Sequence, residues 1–199
     1  MMDPIAALGR MGPPDQTQLN EMQLNAWDDH LLRRVQRTFV TAETPQQQPF
    51  GEYAGRWLAT TLPSTTDAVV SAVLRGAGVW RGKRFLDGRG ANIVAARAVP
   101  LLRAITDQVQ TRGAHAEAAP FEIRRGPTIH GVGDAWLLDY DVAVNRWPLR
   151  QLRDEVRATR DGRLIGRATL ELVGRRGVLG YFLLRSVDRS RVARPAHPG

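Results

Sequence analysis

The spacing of apolar residues changes along the chain from a helical period to a strand period. Between residues 17 and 40 the apolar positions follow helical spacing, which predicts one amphipathic helix. The apolar stripe of this helix consists of Leu19, Met22, Ala26, Trp27, Leu31, Val35 and Phe39. From about residue 119 onward, apolar and polar residues approach alternation, which is typical of strands. The chain therefore begins with a helix and ends in a sheet.

The C-terminal third contains the clearest strand signals. Alternation together with β-branched and aromatic content predicts strands at about 119 to 131, 135 to 143, 149 to 159, 163 to 173 and 178 to 187. Asp161-Gly162 predicts a two-residue hairpin turn, and Gly174-Arg175-Arg176-Gly177 predicts a second tight connection. With a further strand at 79 to 86, a meander of at least six strands results. Since such a meander usually protects its edges by closing, the expected fold is mainly β (α+β), an antiparallel barrel with an N-terminal helical extension.

The middle of the chain has weaker signals. Residues 41 to 66 contain three prolines and a glutamine run, and they read as a loop with room for a short helix around 53 to 59. Thr66 can cap a short helix that ends at the glycines before Trp80. The stretch from 91 to 113 is compatible with a helix broken near Pro100. We therefore divide the chain into a helical extension with linker (1 to 66) and a barrel domain (67 to 199) that has a short disordered C-terminal tail.

Trp80 lies between two glycines at the spacing Gly78-x-Trp80-x-Gly82. Glycine lets a strand bend sharply around a bulky ring, so this spacing suits a tryptophan that plugs one end of a small barrel.

The same segment resembles the bacterial GXWXG-type domain family. Further matching motifs are Lys83, Phe85, Asn92, Tyr140-Asp141, Pro148, Asp154 to Arg157, Leu164 to Gly166 and Gly180 to Arg185. The similarity covers roughly residues 76 to 187. It implies a lipocalin-like barrel, and it supplies no established catalytic residue. In such barrels an arginine of the last strand, here Arg185, is expected to cover the tryptophan ring by a cation–π contact worth about 0.5 to 2 kcal/mol.

Composition and charge narrow the classes of protein. The net charge is +8, and the basic excess lies in residues 67 to 199, where arginines are spread through strand-like segments and form no block. No zinc-finger or basic-helix motif accompanies them, so a solvated arginine-rich barrel surface is favoured over nucleic-acid binding. The chain has no cysteine and no apolar run long enough to span a bilayer, and we expect a cytoplasmic protein.

Signals for cofactors and metals are weak in this sequence. The histidines His30, His115, His130 and His197 have no metal-ligand spacing, and none lies on a late strand where haem would need one. The segment at 87 to 90 lacks the spacing of a nucleotide-binding loop, and no GxSxG elbow occurs. We therefore predict no metal site and no cofactor.

Asp154 is the candidate for chemistry inside the barrel. Asp139 and Asp141 share one face of a strand, while Asp154 lies on the next strand beside Arg153 and Arg157. If Asp154 points inward it needs a partner, because an unpaired buried carboxylate is costly or takes up a proton. An arginine–carboxylate pair could orient the polar end of a ligand, with a structural ion pair between strands and a general acid/base as the alternatives.

Two function classes remain open. The first is a small-molecule binding protein that holds a hydrophobic ligand in the barrel cavity. The residues predicted to bind the ligand are Trp80, Phe85, Trp136, Tyr140, Asp154, Arg157 and Phe182. The alternative is an enzyme on the same barrel, a cyclase or isomerase with Asp154 and Tyr140 as candidate catalytic groups. The N-terminal helix is expected to cover the mouth of the barrel, with packing on the outer wall or a homodimer interface as the alternatives.

Overall fold

A computed structural model describes residues 16–61, 79–129, 133–172 and 174–187. Helix α1 covers Gln16–Thr41 and the short helix α2 covers Val99–Leu102. The strands are β1 (Gly51–Thr60), β2 (Trp80–Phe85), β3 (Arg89–Ala95), β4 (Val109–Arg112), β5 (His115–Pro127), β6 (Asp134–Asp139), β7 (Leu152–Ala158), β8 (Leu164–Leu172) and β9 (Arg175–Ser186).

Eight of these strands close into an antiparallel barrel. Along the sheet the order is β3-β2-β1-β9-β8-β7-β6-β5, and β3 also pairs with β5, which joins the two ends. The short strand β4 pairs with the first residues of β5. Closure leaves these eight strands paired on both sides and so removes exposed edges. The predicted mainly β fold with an N-terminal helix is confirmed.

The structure corrects several sequence-based predictions for the first half of the chain. The segment at 53 to 59, predicted as loop or short helix, is strand β1, which pairs with both β2 and β9. Strand β3 occupies the start of the stretch expected to contain a broken helix, and α2 begins next to Pro100. Alternation is hard to recognise in β1 and β3 because both contain glycine and alanine. The predicted helix after Thr66, Gly78 and the C-terminal tail lie outside the described residues.

Two glycines let β1 and β2 pass close together around the ring of Trp80. Gly82 has a φ of 151°, and a Cβ added there would lie 1.9 Å from the carbonyl oxygen of Tyr53. Gly55 faces the indole of Trp80, and a Cβ at Gly55 would lie 2.3 Å from that ring. The glycine after Trp80 thus permits close backbone approach, while the space for the ring comes from a glycine on the neighbouring strand.

Helix α1 packs on the outer wall of the barrel. Val35 and Phe39 are buried against Ile165 and Tyr181, which point outward from β8 and β9. Leu31, predicted to belong to the buried stripe, is 46% exposed. The preference for a helix over the mouth is wrong, and the outer-wall alternative describes the contacts. Among the described helices, none combines the length and apolar character that crossing a membrane requires.

Candidate functional site

The barrel interior contains a partly open cavity of about 110 Å³ that is mostly apolar. Its wall comes from most strands of the barrel and from α2, which lies at one end. The lining residues are Trp57, Val79, Trp80, Lys83, Asn92, Val94, Ala98, Leu101, Leu102, Ile105, Ala119, Tyr140, Leu149, Leu152, Asp154, Ala168 and Phe182. This composition matches that of small-molecule pockets, which are largely hydrophobic with a few placed polar groups.

Three aromatic rings form one side of the cavity. The ring centroids of Trp57, Trp80 and Phe182 lie 5.5 to 5.9 Å apart, and the rings meet edge to face or tilted. Such arrangements are the favoured geometries of aromatic pairs. The cluster therefore gives the cavity a rigid apolar surface.

Lys83 forms the centre of a polar cluster on the cavity wall. Its side chain is 2% exposed, and its Nζ lies 2.7 Å from Asp154 Oδ2. The same ammonium donates to the hydroxyl of Tyr140 at 2.5 Å and to Asn92 Oδ1 at 2.8 Å. All three of its N–H donors thus have acceptors, which offsets part of the cost of burying the charge.

Asn92 and Tyr140 complete the hydrogen-bond network. Asn92 Oδ1 also accepts from the indole N–H of Trp80 at 3.0 Å, while its Nδ2 donates to the Tyr140 hydroxyl and to the Ala119 carbonyl. The Tyr140 hydroxyl donates in turn to Asp154 Oδ2 at 3.0 Å. The same hydroxyl lies 3.3 Å from a second acceptor, Asn92 Oδ1, so Asp154 is the nearer of its two acceptors.

Burial changes the proton affinities of the cluster. Burial lowers the pKa of Lys83 from its ordinary value, and the neighbouring Asp154 carboxylate opposes this shift. Burial and the Asp154 charge raise the pKa of Tyr140 well above its ordinary value. Tyr140 therefore remains a hydrogen-bond donor at neutral pH, and Lys83 gives up its proton more readily than a lysine in water.

Four aromatic rings surround the ammonium of Lys83. Its Nζ lies 5.0 to 5.7 Å from the centroids of Trp80, Phe121, Tyr140 and Phe182. Cation–π attraction supports the positive charge at this distance. The cation over Trp80 is thus Lys83, whereas the predicted partner Arg185 is exposed on the other face of β9.

The structure brings four of the seven predicted ligand residues to the cavity: Trp80, Tyr140, Asp154 and Phe182. Phe85 is fully buried in the core, where its ring packs against Tyr53 and Phe121.

Trp136 and Arg157 are engaged elsewhere. The indole N–H of Trp136 donates to the carbonyl oxygen of Pro45. Arg157 points to the outer wall and donates to the carbonyl oxygens of Phe39 and Val40 at the end of α1. The inward carboxylate of Asp154 pairs with Lys83, whereas the partner considered from the sequence is an arginine inside the barrel.

A second buried ion pair lies on the outer wall beneath α1. Glu155 and Arg167 face each other on β7 and β8, and each side chain is 2% exposed. Arg167 Nε donates to Glu155 Oε2 at 2.6 Å, and the guanidinium lies 4.5 Å from the ring centroid of Phe39. Through the contact with Phe39 this pair packs against α1, and neither of its residues lines the cavity.

Sequence reasoning missed Lys83, Asn92 and Trp57 as cavity residues. Trp80 and Lys83 are three positions apart, and in a regular strand they would face opposite sides. The register between β2 and β3 shifts between Trp80 and Gly82, and this irregularity turns both side chains inward. The available signal was that Lys83 is the single lysine of a chain otherwise rich in arginine.

Comparisons of the chain with protein-family models, with curated proteins and with solved structures gave no match.

Proposed function

We propose that this protein binds a small hydrophobic molecule in the barrel cavity. The observation that carries the proposal is the apolar space in the barrel interior bounded by Trp57, Trp80 and Phe182, with one polar cluster on its wall. The interior of an eight-stranded barrel is either filled by side chains or holds one small ligand, and here side chains leave a cavity. The Trp80 segment also supports a lipocalin-like relationship to the GXWXG-type family, and the lack of cysteine supports a cytoplasmic location.

The charges of the site favour a neutral ligand. Lys83 and Asp154 compensate each other at 2.7 Å, so an anionic ligand would compete with Asp154 for the ammonium. Among the described residues, the indole Nε1 of Trp57 is buried without a hydrogen-bond partner. An oxygen atom on the ligand would satisfy this donor, because an unpaired buried N–H is costly. We infer a mostly apolar ligand that carries a neutral oxygen.

The size of the cavity limits the ligand. Its volume of about 110 Å³ is smaller than an engineered protein cavity of about 150 Å³ that takes up benzene. A larger ligand requires α2 to move outward. Leu101 of α2 is 48% exposed while it borders the cavity, so it is a suitable position for such an opening.

Native mass spectrometry of the purified protein tests the proposal by detecting a bound small molecule. A second measurement is the quenching or shift of tryptophan fluorescence when butanol is added. Ala168→Leu places a larger side chain in the cavity and should abolish the response. Ala54→Leu is the matched control, since Ala54 is exposed and should leave the response unchanged. Binding that is equal in wild type and Ala168→Leu would contradict a cavity site.

The second candidate function is an enzyme on the same barrel. It is favoured by the position of Asp154 and Tyr140, which are buried, hydrogen-bonded to each other and directly on the cavity wall. In a cyclase or isomerase, Asp154 would accept a proton from an apolar substrate while Tyr140 donates a hydrogen bond to its oxygen. Product formation that is lost in Asp154→Asn while ligand binding persists would favour the enzyme over the binding protein.

A further inference from the structure

We propose that Lys83 forms an imine with a small aldehyde or ketone held in the cavity. This inference rests on the proposed function, because it assigns a carbonyl compound as the ligand class of the same site. The amine of Lys83 borders the cavity, and an acidic partner and two further polar groups surround it. These are the components that imine formation requires: a nucleophilic amine, a proton acceptor and a donor for the departing oxygen.

The position of Lys83 separates it from an ordinary structural lysine. A structural ion pair in a packed core touches no free space, whereas Lys83 and Asp154 both border the cavity. The described hydrogen bonds of the Asp154 side chain use Oδ2, which leaves Oδ1 to contact a ligand. A carbonyl group in the cavity would therefore meet the amine and the carboxylate together.

The surroundings of Lys83 supply the free amine. Burial lowers the pKa of this lysine, and Asp154 at 2.7 Å can accept its proton directly. Lysines in apolar pockets are activated as nucleophiles in this way. The four rings around Nζ then stabilise the positive charge of a protonated imine, as they do that of the ammonium.

The reaction balances without an oxidant, a reductant or a second substrate. Lys83 passes one proton to Asp154, and the nitrogen lone pair forms a bond to the carbonyl carbon while the carbonyl π electrons move to oxygen. Asp154 returns its proton to that oxygen, and a second nitrogen proton follows, directly or through Tyr140. The C–O bond then breaks, water leaves, and a protonated imine remains beside the Asp154 carboxylate. Ammonium plus carbonyl compound thus gives protonated imine plus water, with one positive charge on each side.

Reductive trapping tests this assignment, and the single lysine makes its result unambiguous. Wild-type protein is incubated with propanal or butanal and with cyanoborohydride, which reduces an imine to a stable amine. Intact mass measures the adduct, and peptide mapping separates Lys83 from the N-terminal amine. We expect a Lys83 adduct that saturates with aldehyde concentration in folded protein and decreases when butanol competes for the cavity.

Two variants control the experiment. Lys83→Arg keeps the positive charge and should lose the mapped adduct completely. Ala168→Leu keeps the lysine but fills the cavity, so its adduct should also be lost, and this variant remains informative if Lys83→Arg fails to fold. Protein unfolded in urea gives the reactivity of the same lysine in solvent.

The outcomes distinguish this inference from the proposed function. Butanol binding without a Lys83 adduct overturns the imine and leaves the binding function intact. Absence of both butanol binding and adduct overturns both. A Lys83 adduct that forms no faster in folded than in urea-unfolded protein, or that persists in Ala168→Leu, also overturns the imine assignment, because reactivity would not depend on the cavity.

Discussion

Asp154 and Glu155 are neighbours on β7, yet their carboxylates lie on opposite sides of the barrel wall. Asp154 points inward and pairs with Lys83, whereas Glu155 points outward and pairs with Arg167 beneath α1. Both pairs are almost completely buried, and both include an aromatic ring near the cation. The inner cation is a lysine beside a cavity, whereas the outer cation is an arginine packed beneath a helix. This difference distinguishes a candidate site from a structural contact.

The outer pair has the properties of a structural contact. Arginine stays protonated at any pH of interest, and its planar group packs on the ring of Phe39. The second oxygen of Glu155 accepts from the backbone N–H of Ile129 at 2.5 Å. Helix and strands therefore enclose the pair, and neither of its residues lines the cavity that Lys83 and Asp154 border.

The inner pair has the properties of a chemical site. A lysine can lose its proton when buried, and the cavity lets a ligand approach both charges. Successive side chains of a strand point to opposite faces, so Asp154 lies inside the barrel and Glu155 outside. The two adjacent carboxylates are similarly buried, but only Asp154 can contact a ligand in the cavity.

The largest effect is expected from breaking the outer pair. Glu155→Gln leaves Arg167 buried with its charge and no counterion, and arginine cannot relieve this by losing its proton. We expect the free energy of unfolding to fall by about 3 kcal/mol in urea denaturation. Asp154→Asn should cost less, because Lys83 can become neutral.

Glu171→Gln is the matched control for Glu155→Gln. Glu171 also pairs with an arginine of the neighbouring strand, Arg176, but its side chain is 42% exposed. Partly exposed pairs contribute about 1 kcal/mol or less. If Asp154→Asn destabilised the protein more than Glu155→Gln, the proposed difference between the two pairs would be wrong.

The sequence predicts the barrel better than it predicts the interior. The hairpin signal at Asp161-Gly162 and the alternation of β5 to β9 suffice for an antiparallel meander, and closure follows from its length. Strand β1 could not be recognised because its identity depends on pairing with β9, the most distant strand in the chain. Local propensity carries no information about such a pairing.

The site was predicted in part for a similar reason. The sequence leaves the inward position of Asp154 as a condition, and the partner that a buried carboxylate then needs is present in the structure. The sequence does not identify Lys83 as the partner of Asp154. The irregularity between Trp80 and Gly82 decides which way Lys83 points, and strand alternation alone does not predict it. Arg157 was chosen for its charge, but it shares the outward face with Glu155.

A smaller effect is expected when the inner pair is replaced as a unit. Lys83→Met with Asp154→Leu removes both charges together and leaves an apolar interior of similar volume. Such replacements are often neutral or stabilising, so we expect unfolding within about 1 kcal/mol of wild type. The double variant should still bind butanol but lose the aldehyde adduct. A loss as large as that of Glu155→Gln would show that the inner pair is needed for folding.

The smallest effect is a pH dependence that only the inner pair should show. Burial lowers the pKa of Lys83 in the folded protein, whereas in the unfolded chain it returns to about 10.5. Between the lowered value and 10.5 the unfolded chain binds more protons, so the free energy of unfolding rises with pH. The stabilisation that comes from Lys83 is complete above pH 10.5, and it is lost as the pH falls through the lowered pKa of the folded protein.

The measurement is urea unfolding of wild type and of the double variant Lys83→Met with Asp154→Leu, from neutral pH to about pH 9.5, below the ordinary pKa of tyrosine. The upper limit matters because burial raises the pKa of Tyr140. Above about pH 10 the unfolded chain loses this tyrosine proton while the folded protein keeps it, which lowers the free energy of unfolding. Wild type should gain stability relative to the double variant as the pH rises. The matched control replaces the outer pair as a unit: Glu155→Leu with Arg167→Met leaves Lys83 intact and neither partner of the outer pair buried alone, so it should retain the wild-type slope. Equal slopes in wild type and in Lys83→Met with Asp154→Leu would mean that Lys83 keeps its ordinary proton affinity, and the inner pair would then be as inert as the outer one.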